Sequence, residues 1–117
     1  MQVSKQKVNK ILEYEISKLF NQLITDIKTT KEAEEVFKCL LSETESTAIV
    51  KRLAVGYWLT KKRSYGVISQ NLKVSSATVA SIAQELKKPG WQLIIKRVLA
   101  EEWATKWEEK INKLFKK

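Results

Sequence analysis

Histidine is absent from the 117 residues, cysteine and proline occur once each, and there are only three glycines. Without histidine the chain lacks both the commonest metal ligand and the commonest general base. The single cysteine, Cys39, excludes an intrachain disulfide. With Val36, Phe37 and Leu40 around it, we expect a buried core thiol rather than a nucleophile or a redox switch. A glycine-rich phosphate loop and a converging carboxylate pair are also missing, so the chain does not read as an enzyme, and we expect neither metal nor cofactor. No apolar run reaches the length of a membrane span, and the polar segment Met1–Asn9 lacks the apolar stretch of a signal peptide. A cytoplasmic protein with no membrane partner is the expectation.

What is present is charge, and most of it has one sign. Lys and Arg number 22 against 13 Asp and Glu, for a net charge of +9, which attracts polyanions such as nucleic acids. The excess is concentrated in one stretch. Between Lys51 and Lys88 stand Lys51, Arg52, Lys61, Lys62, Arg63, Lys73, Lys87 and Lys88, opposed only by Glu85. A hydrophobic fraction of 44% with 30% charged residues is a globular composition.

Scarce glycine and proline favour long helices, and the apolar spacing agrees. Val8, Ile11, Leu12, Ile16, Leu19, Phe20, Leu23, Ile24 and Ile27 mark one face of a helix over about 5–27. A second helix is expected over 31–41, capped by Thr30, with Ala33, Val36, Phe37, Leu40 and Leu41 inward. Ser42-Glu43-Thr44-Glu45 is a capping box that opens a third helix reaching about Leu59, with Ile49, Leu53, Val55, Trp58 and Leu59 buried. After the basic loop Thr60–Arg63 come two short helices within 64–87, closed by Lys88-Pro89-Gly90. A final helix over 91–116 carries the stripe Trp91, Val98, Trp103, Trp107, Ile111, Leu114 and Phe115, which packs either on its own subunit or across a dimer. The expected fold is all-α, six helices in a single domain 1–117, with 5–60 serving dimerisation.

Ser64–Lys87 has the pattern of a helix-turn-helix. Ile68 and Leu72 anchor the first helix, and Ser69 is small where the helices cross. Lys73-Val74 form the turn, and Ser75 caps the second helix, which Val79, Ile82 or Ala83, and Leu86 hold from below. Many such motifs carry glycine where Lys73 stands, because the turn needs positive φ. Ser76, Ala77, Ala80, Ser81 and Gln84 are left facing outward, with Thr78 at the border. Small residues at the leading edge allow entry into a major groove. Lys61, Lys62, Arg63, Tyr65, Ser75 and Lys87 complete the expected duplex-DNA contacts.

The stretch Leu40–Leu86 resembles the Trp repressor superfamily. The likeness rests on Leu40-Leu41-Ser42-Glu43-Thr44-Glu45, on Ser75-x-Ala77-Thr78-Val79 and on Leu86-Lys87. It implies an intertwined homodimer whose two recognition helices meet successive major grooves of a palindromic operator. The family's tryptophan-binding positions correspond to Lys51, Ser81 and Ile82. Ser81 supplies no charge for a carboxylate and Ile82 fills the space of an indole, so L-tryptophan is not expected as corepressor. The reading is a transcriptional regulator. A protein-interaction module on the same fold is the alternative, and an RNA-binding protein is a third reading, supported only by Tyr65 beside Arg63.

Overall fold

The computed structural model describes residues 3–105 and 107–115, and within the helices it leaves the side chains at 103–108, 112 and 115 undescribed. Among these residues there are helices and no strands. They are α1 (Lys10–Asp26), α2 (Thr30–Leu40), α3 (Glu43–Thr60), α4 (Tyr65–Leu72), α5 (Ser76–Glu85), α6 (Pro89–Thr105) and α7 (Trp107–Phe115). The fold is all-α, as expected. The single C-terminal helix of the sequence reading corresponds to α6 and α7, on either side of residue 106. Trp103, Trp107 and Phe115 of its expected stripe lie outside the described side chains.

Local chemistry sets the helix starts. Asn9 caps α1, its Oδ1 accepting from the Ile11 amide at 2.8 Å, so this helix begins later than the apolar spacing alone indicates. Thr29, not Thr30, caps α2. Its hydroxyl accepts from the Glu32 amide at 3.0 Å, because Glu32 stands three residues beyond it. The box at the head of α3 closes in both directions: the Glu45 amide donates to Ser42 Oγ at 3.1 Å and the Ser42 amide to Glu45 Oε1 at 2.8 Å. The Ser42 amide, and after it the Ser42 side chain, hold the Glu45 carboxyl below its ordinary pKa. Pro89 opens α6 two residues before the expected start, since its fixed φ suits a first helical position and the missing N–H is not needed there.

The chain divides into two compact units, residues 1–47 and 48–117. In the first unit neither α1 nor α2 has a buried residue. Ile11 is 75% exposed and Leu19 71%, although they lie on the strongly apolar face. Cys39 is also exposed, against the expectation of a core thiol. The spacing marks an apolar face on α1, of which only Ile24 and Ile27 are half-buried and the rest is exposed.

The second unit has a true core. Val55 of α3, Ile68 of α4 and Val79 and Ile82 of α5 are each 0% exposed, surrounded by half-buried Trp58, Leu59, Leu72, Val74, Leu86 and Trp91. Ile49 and Leu53, also expected inside, remain exposed at 52% and 40%. Gly56 lets α3 and α6 approach: a Cβ there would stand 2.6 Å from Cη2 and 3.1 Å from Cε3 of Trp91.

Candidate nucleic-acid interface

The helix-turn-helix is built as its residues require. Ser64 caps α4 through the Val67 amide at 3.2 Å. Lys73 adopts the left-handed conformation at φ 56°, so the turn uses a lysine where glycine would be unstrained. Ser69 does more than leave room at the crossing. Its hydroxyl donates to the Val74 carbonyl at 2.6 Å while the Val74 amide donates back to the Ser69 carbonyl, which staples the turn. Ser75 then caps α5 through the Thr78 amide at 3.0 Å, and its hydroxyl also meets Thr78 Oγ1 at 2.8 Å.

Burial sorts the two faces of α5. Val79 and Ile82 point into the core, which selects Ile82 over the half-buried Ala83 as anchor. Ser76, Ala77, Ser81 and Gln84 are exposed together, whereas Thr78 and Ala80 are half-buried at the margins. The leading turn of α5 therefore presents small side chains and polar hydroxyls, the shape that a major groove admits. Lys62, Tyr65, Lys73 and Lys87 are exposed in the same unit.

Two members of the basic loop are placed differently from the simple expectation. Lys61 is half-buried, and its ammonium meets Glu102 Oε1 of α6 at 2.7 Å while the Tyr57 hydroxyl donates to Glu102 Oε2 at 2.7 Å. Arg63 is half-buried, with its guanidinium carbon 5.2 Å from the centre of the Trp58 ring. The two side chains brace the loop on α3 and α6, and the exposed cation between them is Lys62. Lys62 itself takes φ 60°, and its amide donates to the Leu59 carbonyl as α3 ends. An acidic residue of the C-terminal segment thus reaches the basic loop, a contact with no local sequence signal.

Of the three positions expected from the resemblance to correspond to a ligand pocket, Lys51 donates through Nζ to the Lys73 carbonyl at 3.3 Å, Ser81 is exposed, and Ile82 is core. Beside Lys51 and Arg52 a cavity of about 340 Å³ opens between α3, Val74 and Thr78. Arg52 turns to Glu85 at 2.9 Å, and Lys88 meets the other oxygen of Glu85 at 3.0 Å. Lys88, then Arg52, hold the Glu85 carboxyl below its ordinary pKa. None of the helices among the described residues is long and apolar enough to cross a membrane.

An outward second helix on a stapled turn, seated on an all-helical core, defines the helix-turn-helix class. The family model described as Trp repressor protein matches residues 15–99, and the chain belongs to that family. No curated protein and no solved structure matched.

Proposed function

We propose that the chain is a DNA-binding transcriptional regulator, not an enzyme, which inserts the leading turn of α5 into the major groove of duplex DNA. The observation that carries this reading is the division of α5: Val79 and Ile82 are fully buried, while Ser76, Ala77, Ser81 and Gln84 face outward. Lys62, Lys73 and Lys87 supply phosphate contacts, which bring affinity and steep salt dependence, while the small side chains meet base edges. Tyr65, Ser75, Thr78 and Ala80 border this surface. With Gln84 the one long side chain on the outer face of α5, part of the discrimination comes from DNA shape. The buried Ile82 and uncharged Ser81 support activity without L-tryptophan. The charge balance and family membership support a soluble, cytoplasmic protein.

The active species is a homodimer, and the chain 1–117 acts as a single helical domain. The largely exposed apolar face of α1, with no residue of α2 fully buried, carries this reading. An apolar cavity of about 430 Å³ in the second unit, lined by Val50, Leu53, Tyr57, Trp58 and Val98 among others, gives a second copy further surface to cover.

The test is a gel-shift series with full-length protein over a range of salt. Lys62→Glu and Lys87→Glu should each weaken binding to every duplex alike and reduce the slope against log salt by about 1 or more. Lys61 is a poor choice for charge reversal, since Glu102 would then face a like charge. Unchanged affinity in both variants would defeat the proposal.

A further inference from the structure

The recognition helix is short, ten residues, and a helix of that length holds its orientation only through what it packs against. Val79 and Ile82 fix its depth in the core. Apolar contacts resist rotation of a helix about its own axis less well than directional bonds do, and rotation decides which side chains face the bases. Polar ties from outside the motif are therefore informative, and α5 has them at both ends.

Two consecutive residues of α3 reach those two ends. Lys51 Nζ donates to the carbonyl of Lys73, in the turn before α5. Arg52 donates to Glu85 Oε1 at 2.9 Å, on the last residue of α5, and Lys88 Nζ donates to Glu85 Oε2 at 3.0 Å. A third tie comes from α6, where Gln92 Nε2 donates to the Leu86 carbonyl at 2.6 Å. Glu85 is also the only acid between Lys51 and Lys88. It opposes the attraction of DNA, and it sits at a helix C-terminus, where a negative charge is unfavourable. Neither electrostatics nor helix stability explains a glutamate at this position, whereas its two cationic partners do.

We infer that Glu85, held by Arg52 and Lys88, is a positioning residue that together with Lys51 clasps the recognition helix in its binding pose, so that the protein binds DNA without a small-molecule effector. The two cations bordering the cavity between α3 and the turn are engaged by the protein itself. This inference rests on the DNA-binding reading for its consequence, but the clasp can be measured without DNA.

Glu85→Ala makes the test sharp, because the simple expectations have the opposite sign. It removes a negative charge near DNA, relieves the helix C-terminus and installs the best helix former. Full-length protein, unfolded, dialysed free of small molecules and refolded, is used to select a duplex from a random-sequence pool. Glu85→Ala should bind the selected duplex about threefold more weakly, the order expected for a surface ion pair, and a mixed-sequence duplex no more weakly. Combining Arg52→Glu with Glu85→Arg should restore the part of the loss carried by the Arg52 bond but not the part carried by Lys88, whereas Arg52→Glu alone should weaken binding as Glu85→Ala does. Amide exchange in the last turn of α5, read on the free protein, should quicken in Glu85→Ala and slow again in the exchanged pair. Tighter binding of Glu85→Ala to both duplexes would overturn the inference, as would unchanged exchange. So would stripped protein that binds only after a small-molecule extract is restored. If no duplex is retained under any condition, the DNA-binding reading fails, and the exchange data alone decide the clasp.

Discussion

Replacing Gly56 by alanine tests how closely α3 and α6 are fitted. In the middle of a helix this change normally stabilises by about 1 kcal/mol, because glycine loses more backbone freedom on folding. Here the new methyl would stand 2.6 Å from Cη2 and 3.1 Å from Cε3 of the Trp91 ring. The indole is rigid and packs against the cluster of Val55, Ile68, Val79 and Ile82, so it has to move as a body. Overpacking of this kind costs about 1–3 kcal/mol, which outweighs the helix gain and leaves a net loss of about 1 kcal/mol. In a Trp91→Leu background the clash is relieved, and the same Gly56→Ala change should become stabilising by up to about 1 kcal/mol. Urea denaturation of the four proteins at one fixed concentration reads this reversal, with the concentration held because association shifts apparent stability. If Gly56→Ala alone raises the midpoint, the reasoning about the α3–α6 approach is refuted.

Lys73→Gly should stabilise the free protein by roughly 0.5–1 kcal/mol in thermal denaturation, the left-handed strain of lysine less the entropy of glycine. It should leave the Lys51 tie intact, since that bond goes to a backbone carbonyl. The Glu45 carboxyl, held low by Ser42, contributes stability that is fully present above its unfolded pKa and lost as the pH falls through the lower folded value. The stability gap between the protein and Glu45→Gln should therefore be constant near neutrality and shrink as the pH drops below about 4.3. A gap that persists in acid would contradict the capping box.

The parts of the fold legible in the sequence are those fixed by short-range chemistry. The Ser42–Glu45 box, the cap at Ser75 and the strained turn at Lys73 each depend on residues within a few positions of one another. The outward face of α5 follows from 3.6-residue periodicity once its anchors are identified. Contacts between distant residues were not legible. Lys61 and Glu102 lie 41 positions apart, and Arg52 and Glu85 33 apart, with no pattern to join them. A basic loop and a glutamate of the C-terminal segment read as separate features until the fold brings them together.

Cys39, Ile49 and Leu53 illustrate a second limit. Apolar spacing shows that a face must be covered but not by what, and these residues are exposed within the chain. Most of the apolar face of α1 has the same property, and in α2 that face is only half-buried, which is why the sequence suggests a core there and the first unit contains none.

The most direct measurement is the recovery of duplexes from a random pool by full-length protein, followed by footprinting of the bound sites. The account predicts an inverted repeat whose two protected major-groove segments lie about one helical turn apart, one for each α5 of a dimer. Retention of duplexes with no common sequence, or of none at all, would contradict it.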